Sequence, residues 1–119
     1  MLVSASDPVA AALSTALDGL SLRQRVVADN VANIDTPGYT AATLDFESSL
    51  RSALADGTLD EQGVAPVVGA STAPAGPNGN NVDLATETMT AMQSSFQYQL
   101  LTRAVADRYS LVTTAIGGM

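Results

Sequence analysis

A helix that cannot continue past residue 33 constrains this chain more than any other feature. Leu13, Leu17, Leu20, Gln24, Val27, Val31 and Ile34 recur at alternating steps of three and four, the spacing of a coiled-coil-like seam. Asp18, Arg25 and Asp29 fall outside that seam and read as solvated. The pattern then stops for stated reasons. Asn33 and Asp35 tolerate left-handed backbone and offer acceptors to nearby amides, competing with the helix. Thr36 precedes a proline and is pushed to extended backbone. Pro37-Gly38 fits the two central positions of a type II turn, where glycine takes a positive φ without strain.

The rest of the chain divides around that reversal. Met1 to Ser6 reads as unstructured until something binds it. Asp7 as N-cap and Pro8 in the first turn start the N-terminal helix, expected over 7–34. Gly19 inside it costs ~1 kcal/mol against alanine and fits either a close helix crossing, the favoured reading, or a tolerated surface position. Leu44, Phe46, Leu50 and Leu54 are expected to line a short helix from about Asp45 to Ala55, closed by Asp56-Gly57. Residues 58–81 are rich in Gly, Pro, Ala, Ser and Asn; Val64 to Val68 is their one strand-like patch, and Ala73 to Asn81 reads as linker or mobile loop. Asp56, Asp60 and Glu61 match no calcium-loop spacing and read as a solvated acidic edge.

Asp83 reads as the cap of a C-terminal helix, expected over 82–117 and ending at Gly117-Gly118, with Glu87 complementing its dipole. Val82, Ala85, Met89, Met92, Phe96 and Leu100 form one stripe, which Leu101, Val105, Tyr109, Val112 and Ile116 continue with a drift. The expected fold is all-α and single-domain over 1–119: an antiparallel hairpin of two long amphipathic helices, a short helix, and a largely irregular, partly disordered middle over 35–81.

Composition removes most chemistries. The chain has no histidine and no cysteine, so the usual general base, the thiol nucleophile and the commonest metal ligands are missing. An enzyme is the least favoured class, with no catalytic, cofactor-binding or metal-binding residues assigned and no small-molecule substrate expected. A net charge of −7 argues against nucleic acid and anionic membrane as partners. There is no apolar run near the ~20 residues that cross a bilayer and no basic-then-apolar leader at the N-terminus. The absence of cysteine suits an oxidising compartment.

Asn30-Val31-Ala32-Asn33, then Asp35-Thr36-Pro37-Gly38-Tyr39, then Asp45-Phe46-Glu47 resemble the N-terminal signature of the bacterial flagellar basal-body rod and hook family. The D-T-P-G-Y form is most similar to the rod's membrane-proximal subunit. Asn81-Val82-Asp83 with Glu87, Tyr98 and Ala115-Ile116-Gly117 resembles the same subunit's C-terminal helix, although Thr88 and Ser94 stand where the family suggests methionine and asparagine. The resemblance covers roughly Leu13–Leu54 and Asn81–Ile116. It implies a structural subunit of a periplasmic rod, exported uncleaved through the flagellar type III apparatus for motility. The implied partners are copies of itself, other rod proteins, the basal-body adaptor FliE, the MS ring and the export gate. Phe46-Glu47-Ser48-Ser49-Leu50 further resembles the element by which early substrates are recognised at that gate; packing of Phe46 on Leu50 at i,i+4 reads the same spacing without it.

Assembly is also expected from the residues. Met89, Met92, Phe96, Leu100, Leu101, Val105, Leu111 and Val112 spread over more arc than one partner helix covers, and broad apolar patches mark interfaces. Residues Leu13, Leu17, Leu20, Val27, Val31, Ile34, Met89, Met92, Phe96, Leu101, Val105, Tyr109 and Val112 are therefore assigned to packing and assembly. On this reading, losing Phe46 or Leu50 costs the fold less than losing Phe96 or Leu101. The competing class is a small secreted helical hairpin that pairs with one partner as a four-helix bundle; the W-x-G turn of one such family is absent, since the chain has no tryptophan.

Overall fold

Pro8, whose ring presets φ near ~−65°, opens the first helix of the computed structural model, which describes residues 8–60 and 62–117. The elements in order are α1 (Pro8–Ala32), β1 (Ala42–Asp45), α2 (Glu47–Asp56), β2 (Val67–Ala70) and α3 (Leu84–Gly117). The expectations for Met1 to Ser6, Asp7, Glu61 and Gly118, and for the side chains of Val112 and Ile116, fall outside what is described. Among the described residues no helix is long and apolar enough to cross a membrane.

The two long helices pack on each other in opposite directions. Asn30 of α1 meets Glu87 of α3, and Gln24 Nε2 donates to the Ala91 carbonyl at 3.1 Å, so numbers fall on one helix as they rise on the other. At 1.5 Å per residue α3 is about 51 Å long, and the molecule measures 67 × 27 × 17 Å. Its radius of gyration of 18.0 Å exceeds the ~13–14 Å of a compact chain of this length.

Local chemistry explains the ends. Asp83 caps α3: its carboxylate accepts the Ala85 amide at 3.0 Å and the Thr86 hydroxyl at 3.1 Å. Gly57 closes α2 in left-handed conformation (φ 69). Its amide reaches Leu54 while the Thr58 amide reaches Ala53, the paired bonds of a Schellman motif. Past Ala32 the backbone tightens into successive turns, with the Ile34 amide on Val31 and the Thr36 amide on Asn33. Neither Asn33 nor Asp35 is left-handed; Gly38 is, with φ 74, and the Tyr39 amide bonds back to the Thr36 carbonyl. That is the expected type II turn.

Three expectations need correction. The fold is not all-α: β1 and β2 form a two-stranded antiparallel sheet, Ala42 opposite Ala70 through Asp45 opposite Val67. Leu44 therefore lies in a strand and not on the face of α2, which begins at Glu47. The segment 73–81 is not a free linker. Asn80 Nδ2 donates to the Asn33 and Thr36 carbonyls, both at 2.8 Å, while its Oδ1 accepts the Val82 amide at 2.8 Å. Asn81 Oδ1 accepts the Ala41 amide at 2.7 Å, and its Nδ2 donates to Ser71 and Ala73. Composition alone resembles a linker because these asparagines work only once the signature turn sits opposite them. Lastly, Gly19 accommodates no helix crossing. A Cβ there would fall within 2.3 Å of the Phe46 ring, so the missing side chain is the seat for an aromatic.

Candidate assembly surface

Asn30 organises the end of the molecule where everything converges. It is 1 % exposed, and all four hydrogen-bonding positions of its amide are filled. Nδ2 donates to the Ala42 carbonyl at 2.9 Å and to Glu87 Oε1 at 2.6 Å. Oδ1 accepts the Ala42 amide at 2.9 Å and the Tyr39 hydroxyl at 3.1 Å. One carboxamide thus joins α1, β1, the signature turn and α3. Of the signature residues, Asn30, Asn33, Thr36, Gly38 and Tyr39 take part in the bonded network: the Gly38 amide donates to the Asn78 carbonyl at 2.9 Å, and Thr36 Oγ1 donates to Asn33 Oδ1 at 3.1 Å. Pro37 sets the turn, and Asp35 is exposed.

A second cluster fixes α2. Arg23 donates to both carboxylate oxygens of Glu47, at 2.7 and 2.6 Å, and to the Leu44 carbonyl at 2.7 Å. Its guanidinium lies 5.0 Å over the Phe46 ring, a cation–π contact. The paired Arg23 holds the Glu47 carboxyl below its ordinary range, and the Glu47 bonds raise Arg23 in turn. Asp45 accepts the Ser48 amide at 3.1 Å, which lowers its carboxyl also. Phe46 is 4 % exposed, Leu50 half-buried. The sequence ranking is reversed here: Phe46 belongs to the core, whereas Phe96 is 61 % exposed.

The packing seam is split by the structure. On α1, Leu20 and Val27 are buried, Leu13 and Leu17 half-buried, and Val31 exposed; Ala11, Thr15 and Gly19 are buried as well, and Ile34, past the end of α1, is half-buried. On α3 the sheltered positions are Glu87, Thr90, Ala91, Ser94, Leu101 and Arg108, four of them seven residues apart. That is a coiled-coil repeat, but apart from Leu101 a polar one, which the apolar pattern did not show. Ser94 is 2 % exposed. Met89, Met92, Phe96, Leu100 and Leu111 are exposed on one side of α3, and Leu84, Tyr98, Val105 and Tyr109 are exposed elsewhere around it. From Thr88 to Thr102 this helix carries no charge.

A groove of about 330 Å³ lies between α1, β1 and the start of α3, lined by Arg23, Asn30, Asn81, Asp83 and Glu87 among others. Its amide groups are spent on the network above, and among the described residues no cluster of three metal-ligating side chains occurs. The surface that stands open is the apolar face of α3.

Comparison with known proteins points to one family. Residues 12–40 match the family described as flagella basal body rod protein. The chain is 32 % identical to the flagellar basal body rod protein FlgB of Escherichia coli, over 84 % of this chain and 88 % of that one. It is 29 % identical to FlgB of Bacillus subtilis, over 89 % and 91 % of the two chains, and 29 % to FlgB of Borreliella burgdorferi, over 84 % and 89 %.

Proposed function

This chain belongs to the family of flagellar basal body rod proteins FlgB, and from that premise we propose how it builds a rod. It is a structural subunit and not an enzyme. The observation that carries the proposal is the outward face of α3. Nine large apolar residues are exposed along this helix, five of them within a stretch of fifteen consecutive uncharged positions. The accessible surface of 7758 Å² exceeds the ~6,000 Å² of a compact monomer of this mass. The excess is about twice the ~800 Å² that one partner contributes to a standard protein interface.

Burying that face on the helices of neighbouring subunits gives a heterologous contact that does not close on itself and so extends into a tube. The antiparallel hairpin of α1 and α3 is the repeating unit, and the Asn30 network fixes the angle at which it is presented. The subunit sits at the membrane-proximal end of a periplasmic rod. Its partners are copies of itself, other rod proteins, the adaptor FliE and the MS ring. Phe46 and Leu50 serve twice: in the unfolded chain as the element met by the export gate, which passes the protein without a cleaved signal, and in the folded subunit as packing against α1.

The test separates export from assembly. In a strain lacking the native copy, Phe96→Arg should appear in the culture medium at the normal level, leave the cells non-motile and be missing from purified basal bodies. Phe46→Ala should stay inside the cell. Normal motility with Phe96→Arg would refute the α3 face; secretion of Phe46→Ala at the normal level would leave Phe46 only its packing role.

A further inference from the structure

The two-stranded sheet has one edge closed and one left open. The bond from the Ser71 amide to the Ala41 carbonyl sets the phase of the ladder: with Ala42 opposite Ala70, residues 41, 43 and 45 bond towards β2, and 42 and 44 bond away from it. Those outward groups of β1 are met by α1. Asn30 takes the Ala42 amide and carbonyl, and Arg23 takes the Leu44 carbonyl. On β2 the same alternation turns Val67 and Gly69 inward and Val68 and Ala70 outward. Among the described residues no partner meets the outward amides and carbonyls of Val68 and Ala70. Because α1 lies along the far edge of β1, this open edge points away from the body of the molecule. All four β2 residues are exposed, Val67 at 60 % and Val68 at 61 %. Proteins usually blunt such an edge with charges, prolines or bulges; β2 has none within it.

We infer that this edge pairs with β2 of a second copy, forming a four-stranded sheet about a two-fold axis through Gly69. The strand is self-complementary in that register. Val68 of one copy lies opposite Ala70 of the other and the reverse, so both outward residues exchange amide and carbonyl bonds. Gly69 faces Gly69 with no side chain to collide. Pro66, which has no amide hydrogen, falls opposite Thr72 and ends the ladder. Charge does not oppose the pairing although the chain carries −7. The strand is neutral, and the two Asp45 carboxylates lie at opposite corners of the sheet, about 20 Å apart from strand spacing and rise, beyond the ~8–10 Å Debye length. This contact closes after two copies and is independent of the rod assignment and of the α3 face.

Because the chain has no cysteine, single cysteines report the contact cleanly. Gly69→Cys in the purified full chain, oxidised under native conditions, should convert to a species of doubled mass on a non-reducing gel, while Ser52→Cys on exposed α2 stays monomeric. A Cβ at Gly69 meets only the Thr43 hydroxyl, at 3.1 Å. Should Gly69→Cys lose its helical circular dichroism, Val67→Cys with Ser71→Cys replaces it: these positions oppose each other across the axis and lie too far apart within one strand to bridge. Adding Val68→Pro removes an outward amide and should abolish the dimer, whereas adding Phe96→Arg should leave it unchanged. No cross-linking above the Ser52→Cys level, or a dimer that survives Val68→Pro, overturns the proposal.

Discussion

Replacing Asn30 by alanine leaves four polar groups without their partner: the Ala42 amide and carbonyl, the Tyr39 hydroxyl and the Glu87 carboxylate. Each buried orphan costs ~1–3 kcal/mol, but water entering the vacated space recovers part of that. Tyr39 is half-buried and can turn to solvent, while Glu87 at 8 % exposure cannot. A net loss of about 2–4 kcal/mol follows, a large share of the ~5–15 kcal/mol typical of a domain. At a urea slope of ~1–3 kcal/mol per molar, the midpoint followed by circular dichroism should fall by roughly 1–3 M. Asn30→Asp sharpens the test. It keeps the acceptor for Tyr39 and the Ala42 amide but sets an oxygen against Glu87 Oε1 where a donor now stands at 2.6 Å. It should be the worse variant at pH 7, and adding Glu87→Gln, which restores a donor, should recover stability. An Asn30→Ala midpoint within 0.2 M of wild type, given as roughly the scatter of such fits, would refute the claim that this amide joins the elements. So would failure of Glu87→Gln to help Asn30→Asp.

Three further outcomes follow from named contacts. Phe46→Ala should lower the stability of the isolated protein by ~3 kcal/mol, as for other buried phenylalanines, and exposed Phe96→Ala by under ~0.5 kcal/mol; equal melting temperatures for the two would contradict the burial. For the Arg23–Glu47 pair, the folded state holds Glu47 below its unfolded value, so the folded chain binds fewer protons there and the pair's contribution is present above that unfolded value. It is lost as pH falls through the lowered folded value; wild type should be more stable than Glu47→Gln at pH 7, and the gap should shrink by pH 3 in urea titrations. Gly38→Val should cost ~1–2 kcal/mol from the positive φ alone, since nothing lies within 4 Å of an added Cβ; an unchanged thermal midpoint would remove the strain.

What the sequence determined by itself was local. Helix ends at Asp83, Gly57 and Pro8, and the type II turn at Pro37-Gly38, depend on a few neighbouring backbone groups, and the residues state them directly. The two long helices follow from a 3.5-residue pattern over many turns. The family was also legible, because its signature is a contiguous string. The tertiary structure decided which contacts those pieces make across long separations. Asn30 and Glu87 are 57 residues apart, and Asn80 reaches Asn33 over 47; asparagines in a Gly- and Pro-rich segment carry no local sign of the carbonyls they will meet. Sheet register depends on the same long-range closure, which is why the strand-like patch at Val64–Val68 met β2 only at Val67 and Val68 and gave no partner for it. Hydrophobic periodicity on α3 was correct as a pattern and silent about its partner. An apolar stripe says that a face is to be covered, and small residues such as Ala91 and Ser94 set how closely α1 can approach. Here the close approach took the polar side, and left Met89, Met92 and Phe96 exposed.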